Sequence, residues 1–95
     1  MAQQLKKAFE GIRVADFSWV GAGPLTAKYL ADHGAEVIRI ESVASLDTLR
    51  RSHPFVDNEP GVDRSGYFAN FNSSKKGITL NLKHARGVEL AKRLV

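Results

Sequence analysis

The chain has no cysteine among its 95 residues, which excludes disulfides, thiol catalysis and thiolate metal sites. Its three histidines, His33, His53 and His84, lack the spacing of metal ligands, so we expect no metal. Long hydrophobic runs are also missing, and none approaches the roughly 20 residues that a membrane-spanning helix needs. The opening residues, MAQQLKKAFEG, lack the apolar core of a secretory signal peptide. These absences favour a cytoplasmic protein with no membrane partner.

A concentrated basic stripe is missing too, although the formal net charge is +4. Pairs of basic residues are scattered along the chain, at positions 6–7, 50–51, 75–76 and 92–93. Surfaces that bind nucleic acid concentrate such charge on one face or along one helix, so we expect no nucleic-acid partner. A non-catalytic basic binding module stays open as an alternative, because the net positive charge would suit an anionic partner.

The first 40 residues read as a strand, a helix and a second strand. Residues 12–16 and 36–40 are short runs rich in β-branched residues, which is typical of strands. The helix is predicted from Pro24 to His33, since proline suits a first turn and Gly34 suits a helix end. Leu25, Tyr29 and Leu30 are its predicted buried face. This order predicts a βαβ unit with parallel strands, and hence a Rossmann-like α/β fold.

The remainder alternates between irregular and regular segments. Residues 42–66 are polar and contain two of the three prolines, which predicts a long surface excursion with one helical turn near 46–50. Residues 67–71 are aromatic and predicted to be buried, 72–77 form a polar turn, and 78–82 form a third strand. A helix is predicted from Ala85, with Glu89 paired to Arg93. No helix-stop signal follows Val95, so we expect the chain to be a fragment of a longer protein.

Two glycines, Gly21 and Gly23, stand where the first strand passes into the helix. Such a corner can present free N–H groups to an anion. The dinucleotide fingerprint G-x-G-x-x-G is matched only in part: Thr26 takes the third place, although Glu41 stands where a ribose-binding carboxylate would be. A tight turn whose glycines serve only close packing is an equally good explanation from these residues.

The order of several short motifs is more specific than any one of them. The chain reads D-F-S at 16–18, A-G-P at 22–24, G-A-E-V-I-R-I-E at 34–41, L-D-T-L-R at 46–50 and F-N-S-S-K-K at 71–76. It thereby resembles the N-terminal part of the class III CoA-transferases, which include formyl-CoA transferase and the CaiB/BaiF enzymes. The resemblance implies that residues 1–95 are part of a large CoA-binding α/β domain whose remainder is absent, and that the whole protein is an interlocked homodimer.

The resemblance also implies a site for coenzyme A or an acyl-CoA, which are substrates here. The loop after the first strand would pass close to the acyl centre, and a residue after the second strand would meet the nucleotide, with Arg39, Arg50 or Arg51 as substitutes. The F-N-S-S-K segment would line the adenosine and phosphates, with an exposed lysine whose loss costs little stability. The candidate residues are Trp19, Val20, Gly21, Ala22, Ser42, Phe71, Asn72, Ser73, Ser74 and Lys75. Residues 21–23 and 75 are expected to share one groove.

The reaction implied by the resemblance moves CoA from one carboxylic acid to another through an aspartyl-CoA thioester. The family's nucleophilic aspartate lies downstream of this chain, and none of its own aspartates matches that context: Asp16, Asp32, Asp47, Asp57 and Asp63. The chain alone is therefore expected to be inactive. An acyl-CoA racemase or epimerase of the same superfamily is the enzymatic alternative. It would exchange an α-proton, with acid and base residues that also lie downstream.

Overall fold

The computed structural model describes residues 6–95, which form a three-stranded sheet with helices around it. All strand pairs are parallel, in the order β1-β2-β3, so the predicted Rossmann-like α/β fold is confirmed. The elements are β1 Arg13–Asp16, α1 Ala22–Asp32, β2 Glu36–Glu41, α2 Gly66–Phe71, β3 Lys76–Thr79 and α3 Ala85–Leu94, with 3₁₀ turns at Thr48–Arg51 and Val56–Asn58. No helix within the described part is long and apolar enough to cross a bilayer.

The register of the sheet brings the carboxyl ends of its strands to a common edge. Asp16, the last residue of β1, is paired with Arg39, and Glu41, the last of β2, is paired with Thr79, the last of β3. Parallel strands expose the segments that follow them at this edge, where ligands of open α/β sheets bind. The loops after β1, β2 and β3 therefore meet there.

Helix α1 packs on the sheet through small residues. Ala27 and Ala31 form a core cluster with Ala35 and Val37, and Val37 is only 1% exposed. The prediction that Tyr29 belongs to the buried face is wrong, because its side chain is 57% exposed. Alanine lets the helix approach the strands closely, whereas a tyrosine in that position would hold it away.

The connection between β2 and β3 is more deeply anchored than a surface excursion. Its predicted helical turn is present at Thr48–Arg51, but Asp47, Leu49 and Ser65 are buried. The Ser65 hydroxyl donates to the Ser52 carbonyl at 2.7 Å and lies 3.1 Å from the Leu49 carbonyl oxygen. It accepts from the Phe68 N–H at the start of α2. One serine therefore closes this excursion and begins the helix that follows.

Three other sequence predictions need correction. The aromatic segment 67–71 is helix α2, and Tyr67 is 42% exposed rather than buried. The third strand begins two residues earlier than predicted and ends at Thr79. In α3, Glu89 pairs with Arg86 at 3.1 Å, on the side away from Arg93.

The start of α3 depends on a close backbone approach at Gly87. A Cβ at this buried position would lie 2.0 Å from the Asn81 carbonyl oxygen, which belongs to the loop after β3. The Gly87→Ala variant should therefore lose about 1–3 kcal/mol of unfolding free energy, as overpacked sites do. Urea denaturation measures this loss. Gly77→Ala is the matched control, since a Cβ there meets nothing within 4 Å; equal stability of the two variants would contradict the packing assigned to Gly87.

Candidate functional site

A cavity of about 200 Å³ lies at the carboxyl edge of the sheet. Its walls come from the segments that follow all three strands. They are Phe17 and Trp19 after β1, Ile40 to Ser42 with Ala44 and Ser45 around the end of β2, and Leu80, Asn81, Leu82 and Lys83 after β3. A second hollow of about 450 Å³ shares Ser42, Ala44, Leu80 and Asn81 with it, so the space continues along this edge. We call this continuous space the edge groove.

The edge groove is lined mainly by apolar and small polar residues, with Glu41 and Lys83 as its charged lining residues. Phe17 and Trp19 are 41% and 42% exposed, so both present aromatic surface. Lys83 supplies an ammonium group in the exposed loop after β3. The Leu80 N–H donates to the Glu41 carbonyl at 2.9 Å and thereby ties this wall to the sheet. Aromatic and aliphatic surface beside one cation suits a long ligand with an apolar arm and a phosphate.

Two of the candidate residues, Trp19 and Ser42, line the edge groove. Val20 and Gly21 follow Trp19 on the same loop, and Ala22 is the first residue of α1. Space is open at Gly21, where an added Cβ would meet nothing within 4 Å. The two glycines of the corner therefore differ in their surroundings, and a ligand contact at Gly21 stays a prediction. Gly23 serves close packing, since a Cβ there would lie 2.4 Å from that of Ser18, whereas the backbone at Gly21 is free to be approached.

The segment Leu80 to Lys83 was missed by the sequence reasoning. A third strand predicted at 78–82 placed three of these residues inside the sheet, although β3 ends at Thr79. Asn81 is the residue in the sequence that could have indicated a turn after β3, because asparagine side chains favour turns by hydrogen-bonding the backbone two residues on. Its side chain accepts from the Lys83 N–H at 3.0 Å, which is the geometry of such a turn.

Lys75 lies inside the protein, and the expectation that it is exposed is wrong. Its side chain is 2% exposed. The ammonium donates to the Asp16 carboxylate at 2.8 Å, to the Pro24 carbonyl at 2.9 Å and to the Asn72 side chain at 2.8 Å. All three N–H donors of the ammonium are thereby used. A phosphate would have to displace a carboxylate to bind this lysine.

Three of the four candidate residues before Lys75, namely Phe71, Asn72 and Ser74, also contact other residues of the protein. The rings of Phe71 and Tyr67 pack with centroids 4.7 Å apart. The Asn72 amide donates to the Phe68 carbonyl at 3.1 Å, and the Ser74 hydroxyl donates to Asp32 at 2.7 Å. These bonds end α2 and fasten the turn to α1. A contact of Phe71, Asn72, Ser73 or Ser74 with CoA stays a prediction.

Asp16 is the carboxylate that joins the turn to the glycine loop. Burial raises its pKa, but hydrogen bonds from Lys75 and Ser18 outweigh burial and hold the pKa below its ordinary value. For Lys75, burial lowers the pKa and the Asp16 carboxylate opposes that change in part. Residues 21–23 and 75 do not line a common cavity, so the expectation that they share one groove is wrong. The contact between the two segments is the bond from Lys75 to the Pro24 carbonyl, beside the Asp16–Lys75 ion pair.

A second cavity, of about 610 Å³, lies against the outer strand and contains Asn72 and Lys75. Its basic residues are matched by carboxylates. Lys76 binds Glu36 at 2.9 Å, Arg39 binds Glu41 at 2.8 Å, and Arg50 binds Glu41 at 2.7 Å and Asp63 at 3.1 Å. Because each cation already has an anionic partner, this cavity offers little net attraction to an anion.

Between the two cavities lies a buried cluster of charges, which we call the charge cluster: Arg39, Glu41, Asp47 and Arg50. Arg50 binds both oxygens of Glu41, through Nη2 at 2.7 Å and Nε at 2.9 Å. Arg39 bridges Glu41 and Asp47. Both guanidinium groups lie over the Phe68 ring, at 4.9 and 3.8 Å from its centroid. Glu41 is thus unavailable to a ribose. Arg39 and Arg50 are likewise unavailable as substitutes for Ser42 at the nucleotide, because both are bound to carboxylates. Arg51 is exposed and lies outside the walls of the edge groove.

The ionised form of Glu41 is strongly favoured. Burial raises its pKa, but hydrogen bonds from Arg50 and the Asp47 N–H, with the charges of both arginines, lower it from 4.5 to about 2. Glu41 therefore stays a carboxylate at neutral pH and serves as a fixed anion. Its chemistry is that of a structural anchor, not of a general acid.

Comparison with known proteins identifies the family. The model of the CoA-transferase family III matches residues 9–95, so the chain belongs to this family. It is 42% identical over 89 residues to the succinyl-CoA:glutarate CoA-transferase of Mus musculus, covering 93% of this chain and 19% of that protein. It is 38% identical over 91 residues to a formyl-CoA:oxalate CoA-transferase of Rhodopseudomonas palustris, covering 96% of this chain and 20% of the relative.

The fold agrees with solved structures of the same family. A CaiB/BaiF family protein from Brucella suis aligns with a TM-score of 0.79 and 32% identity, over 95% of this chain and 24% of the other. The chain thus spans about a fifth of the length of the curated relatives that it matches. The family resemblance that the motifs indicated is confirmed.

Lys75 should be a stability residue. The Lys75→Ala variant leaves the buried Asp16 carboxylate without its cation, which typically costs about 3–5 kcal/mol. Lys76→Ala is the neighbouring control: this lysine is 71% exposed and its partner Glu36 is 36% exposed, so the loss should stay below about 1 kcal/mol. Chemical denaturation of both variants measures the difference. A Lys75→Ala variant as stable as Lys76→Ala would disprove the buried role.

Acid should weaken the fold through Glu41. Its pKa is lower in the folded chain, about 2, than its usual 4.5, so the folded state binds fewer protons. The stabilisation is complete above pH 4.5 and is lost as the pH falls towards 2, which amounts to about 3 kcal/mol. Unfolding free energies measured across this range should fall less steeply for Glu41→Gln than for the wild type. Equal slopes would contradict the prediction, since Asp16 contributes in the same direction in both proteins.

Proposed function

We propose that residues 1–95 form the N-terminal part of the CoA-binding large domain of a class III CoA-transferase. The observation that carries the proposal is the edge groove, because it unites Trp19 and Ser42 with a lysine at the ligand-binding edge of a parallel sheet. Family membership and the printed activities of the relatives support CoA transfer as the reaction. An acyl-CoA and a carboxylic acid are the proposed substrates of the whole protein.

CoA is a long ligand with a thioester arm, a diphosphate and an adenosine. In the proposal, the apolar walls at Phe17, Trp19 and Leu82 receive the arm or the adenine, and the Lys83 ammonium meets a phosphate. The edge groove continues past Ser42, which gives an extended ligand room beyond the first cavity. In the proposal, Val20 and Gly21, which follow Trp19, and Ala22 at the start of α1 come close to the thioester. The open position at Gly21 would let the backbone approach it.

The chemical step belongs to residues beyond this chain. In the proposed mechanism an aspartate carboxylate attacks the thioester carbonyl, expels the CoA thiolate and forms a mixed anhydride. The thiolate then attacks the aspartyl carbonyl and releases the donor acid, which leaves an aspartyl-CoA thioester. The buried aspartates here do not suit that role, because Asp16 binds Lys75 and Asp47 binds Arg39. The interlocked homodimer, the cytoplasmic location and the lack of a metal stay predictions.

The test is a CoA-transfer assay on the complete protein that carries this chain. Succinyl-CoA and formyl-CoA are offered as donors with a panel of carboxylic acids, and the new acyl-CoA is detected by chromatography and mass. Transfer to at least one acid is the expected result. Exchange of an α-proton for deuterium without CoA transfer would instead indicate a racemase or epimerase. If the protein catalyses neither reaction, the proposed function is overturned.

Lys83 should contribute to CoA affinity. Its loss in Lys83→Ala removes a charge-assisted contact to phosphate and should weaken CoA binding roughly tenfold, or ~1.4 kcal/mol. Isothermal titration of the complete protein with CoA measures the change, which should shrink at high salt. Lys92→Ala is the matched control, because this exposed lysine lies in the last turn of α3 and not in the edge groove. Identical affinities for the two variants would contradict the placement of the phosphate.

A further inference from the structure

Asp47 of the L-D-T-L-R motif is the most deeply buried carboxylate that the proposed function does not use. The residue is 1% exposed, and its side chain is fully buried. Its oxygens accept from the Val20 N–H at 3.2 and 3.3 Å and from the Leu49 N–H at 3.0 Å, and they pair with the Arg39 guanidinium. One carboxylate thus joins the loop after β1 to the segment after β2, across 27 positions of sequence.

Val20 needs this support. Its φ is 66°, in the left-handed region, which a β-branched residue rarely adopts. Its side chain is 45% exposed, so packing does little to hold the backbone in place. The hydrogen bonds from its N–H to Asp47 therefore oppose relaxation of the loop to an ordinary backbone conformation.

Asp47 is itself held from three sides. Its own N–H donates to the Glu41 carboxylate at 2.8 Å, and Arg39 bridges Glu41 and Asp47. Glu41 is in turn gripped by Arg50. Because Arg39 and Glu41 are both buried and charged, they fix the position of the Asp47 carboxylate well.

The loop that Asp47 holds forms one wall of the edge groove. Trp19, which precedes Val20, lines that space, whereas Asp47 is not among its lining residues. We propose that Asp47 is a positioning residue for CoA binding: through the Val20 N–H it sets the loop that carries Trp19 and Gly21. This role rests on the proposed function, and Asp47 acts without touching the ligand.

Replacing Asp47 by asparagine tests the hydrogen bonds of its carboxylate without changing the volume of the side chain. Asparagine has nearly the same volume as aspartate but keeps only one acceptor oxygen. If that oxygen faces Val20 and Leu49, the amide NH₂ group faces the Arg39 cation. If it faces Arg39, the NH₂ group faces two N–H donors. In either orientation the amide NH₂ group faces a donor that the carboxylate attracted, so the hydrogen bonding between residue 47 and the loop is weakened.

The experiment measures CoA binding and steady-state kinetics of the complete protein, below the melting temperature of every variant. Asp47→Asn should raise the Kd for CoA and the KM for acyl-CoA at least tenfold. Ser65→Ala is the stability control, because it removes buried hydrogen bonds from the same connection without contacting the loop. It should melt at a lower temperature and bind CoA within twofold of the wild type.

Unchanged Kd and KM in Asp47→Asn would overturn the proposal, as would an equal loss of affinity in Ser65→Ala. If Asp47→Asn does not fold, Val20→Pro decides, since proline lacks the N–H and cannot adopt a positive φ. It should weaken binding as strongly as expected for Asp47→Asn, and a wild-type Kd would refute the role. A wild-type protein that binds no CoA would contradict the proposed function itself.

Discussion

The burial of Glu41 between two arginines is the constraint on which the site depends. A carboxylate at the end of a central strand must be compensated, because an uncompensated buried charge costs far more than a fold of this size can supply. Compensation here draws Arg39 from the same strand and Arg50 from the next segment. The connection after β2 is thereby pulled against the sheet, although it contains few apolar residues. The ion pairs of Glu41 thus determine the position of residues 42–51, including Ser42 at the edge groove.

A cluster of charges gives a different kind of wall from a hydrophobic core. Apolar packing tolerates small shifts, whereas a guanidinium that binds both oxygens of a carboxylate fixes distance and orientation together. The charge cluster borders the edge groove through Glu41 and the 610 Å³ cavity through Arg39, Glu41 and Arg50. Removing one partner of such a buried pair is costly, because the other charge is then left uncompensated.

Much of the fold could be predicted from the sequence, because strong local signals decide it. The β-branched runs, Gly34 and the helix start near Pro24 were sufficient for β1, α1 and β2 and for their parallel pairing. The site was less accessible. Predicting the third strand two residues late hid Leu80 to Lys83, because a strand and the loop after it look alike when apolar and polar residues alternate. Asp47 could be recognised only as part of a motif, since its partners lie 8 and 27 positions away.

Lys75 illustrates why charge patterns mislead at a site of this kind. Two adjacent lysines in a polar turn look alike in sequence, and a phosphate ligand is a natural inference for either. The fold separates them: Lys75 turns inward to the carboxylate that ends β1, while Lys76 stays exposed beside Glu36. What decides is the position of Asp16 at the end of β1, because this buried carboxylate requires a cation and is paired with Lys75. A basic residue is therefore available to an anionic ligand only when it is not paired with a buried carboxylate. Lys75 is paired with the buried Asp16, so Lys83 is the better candidate.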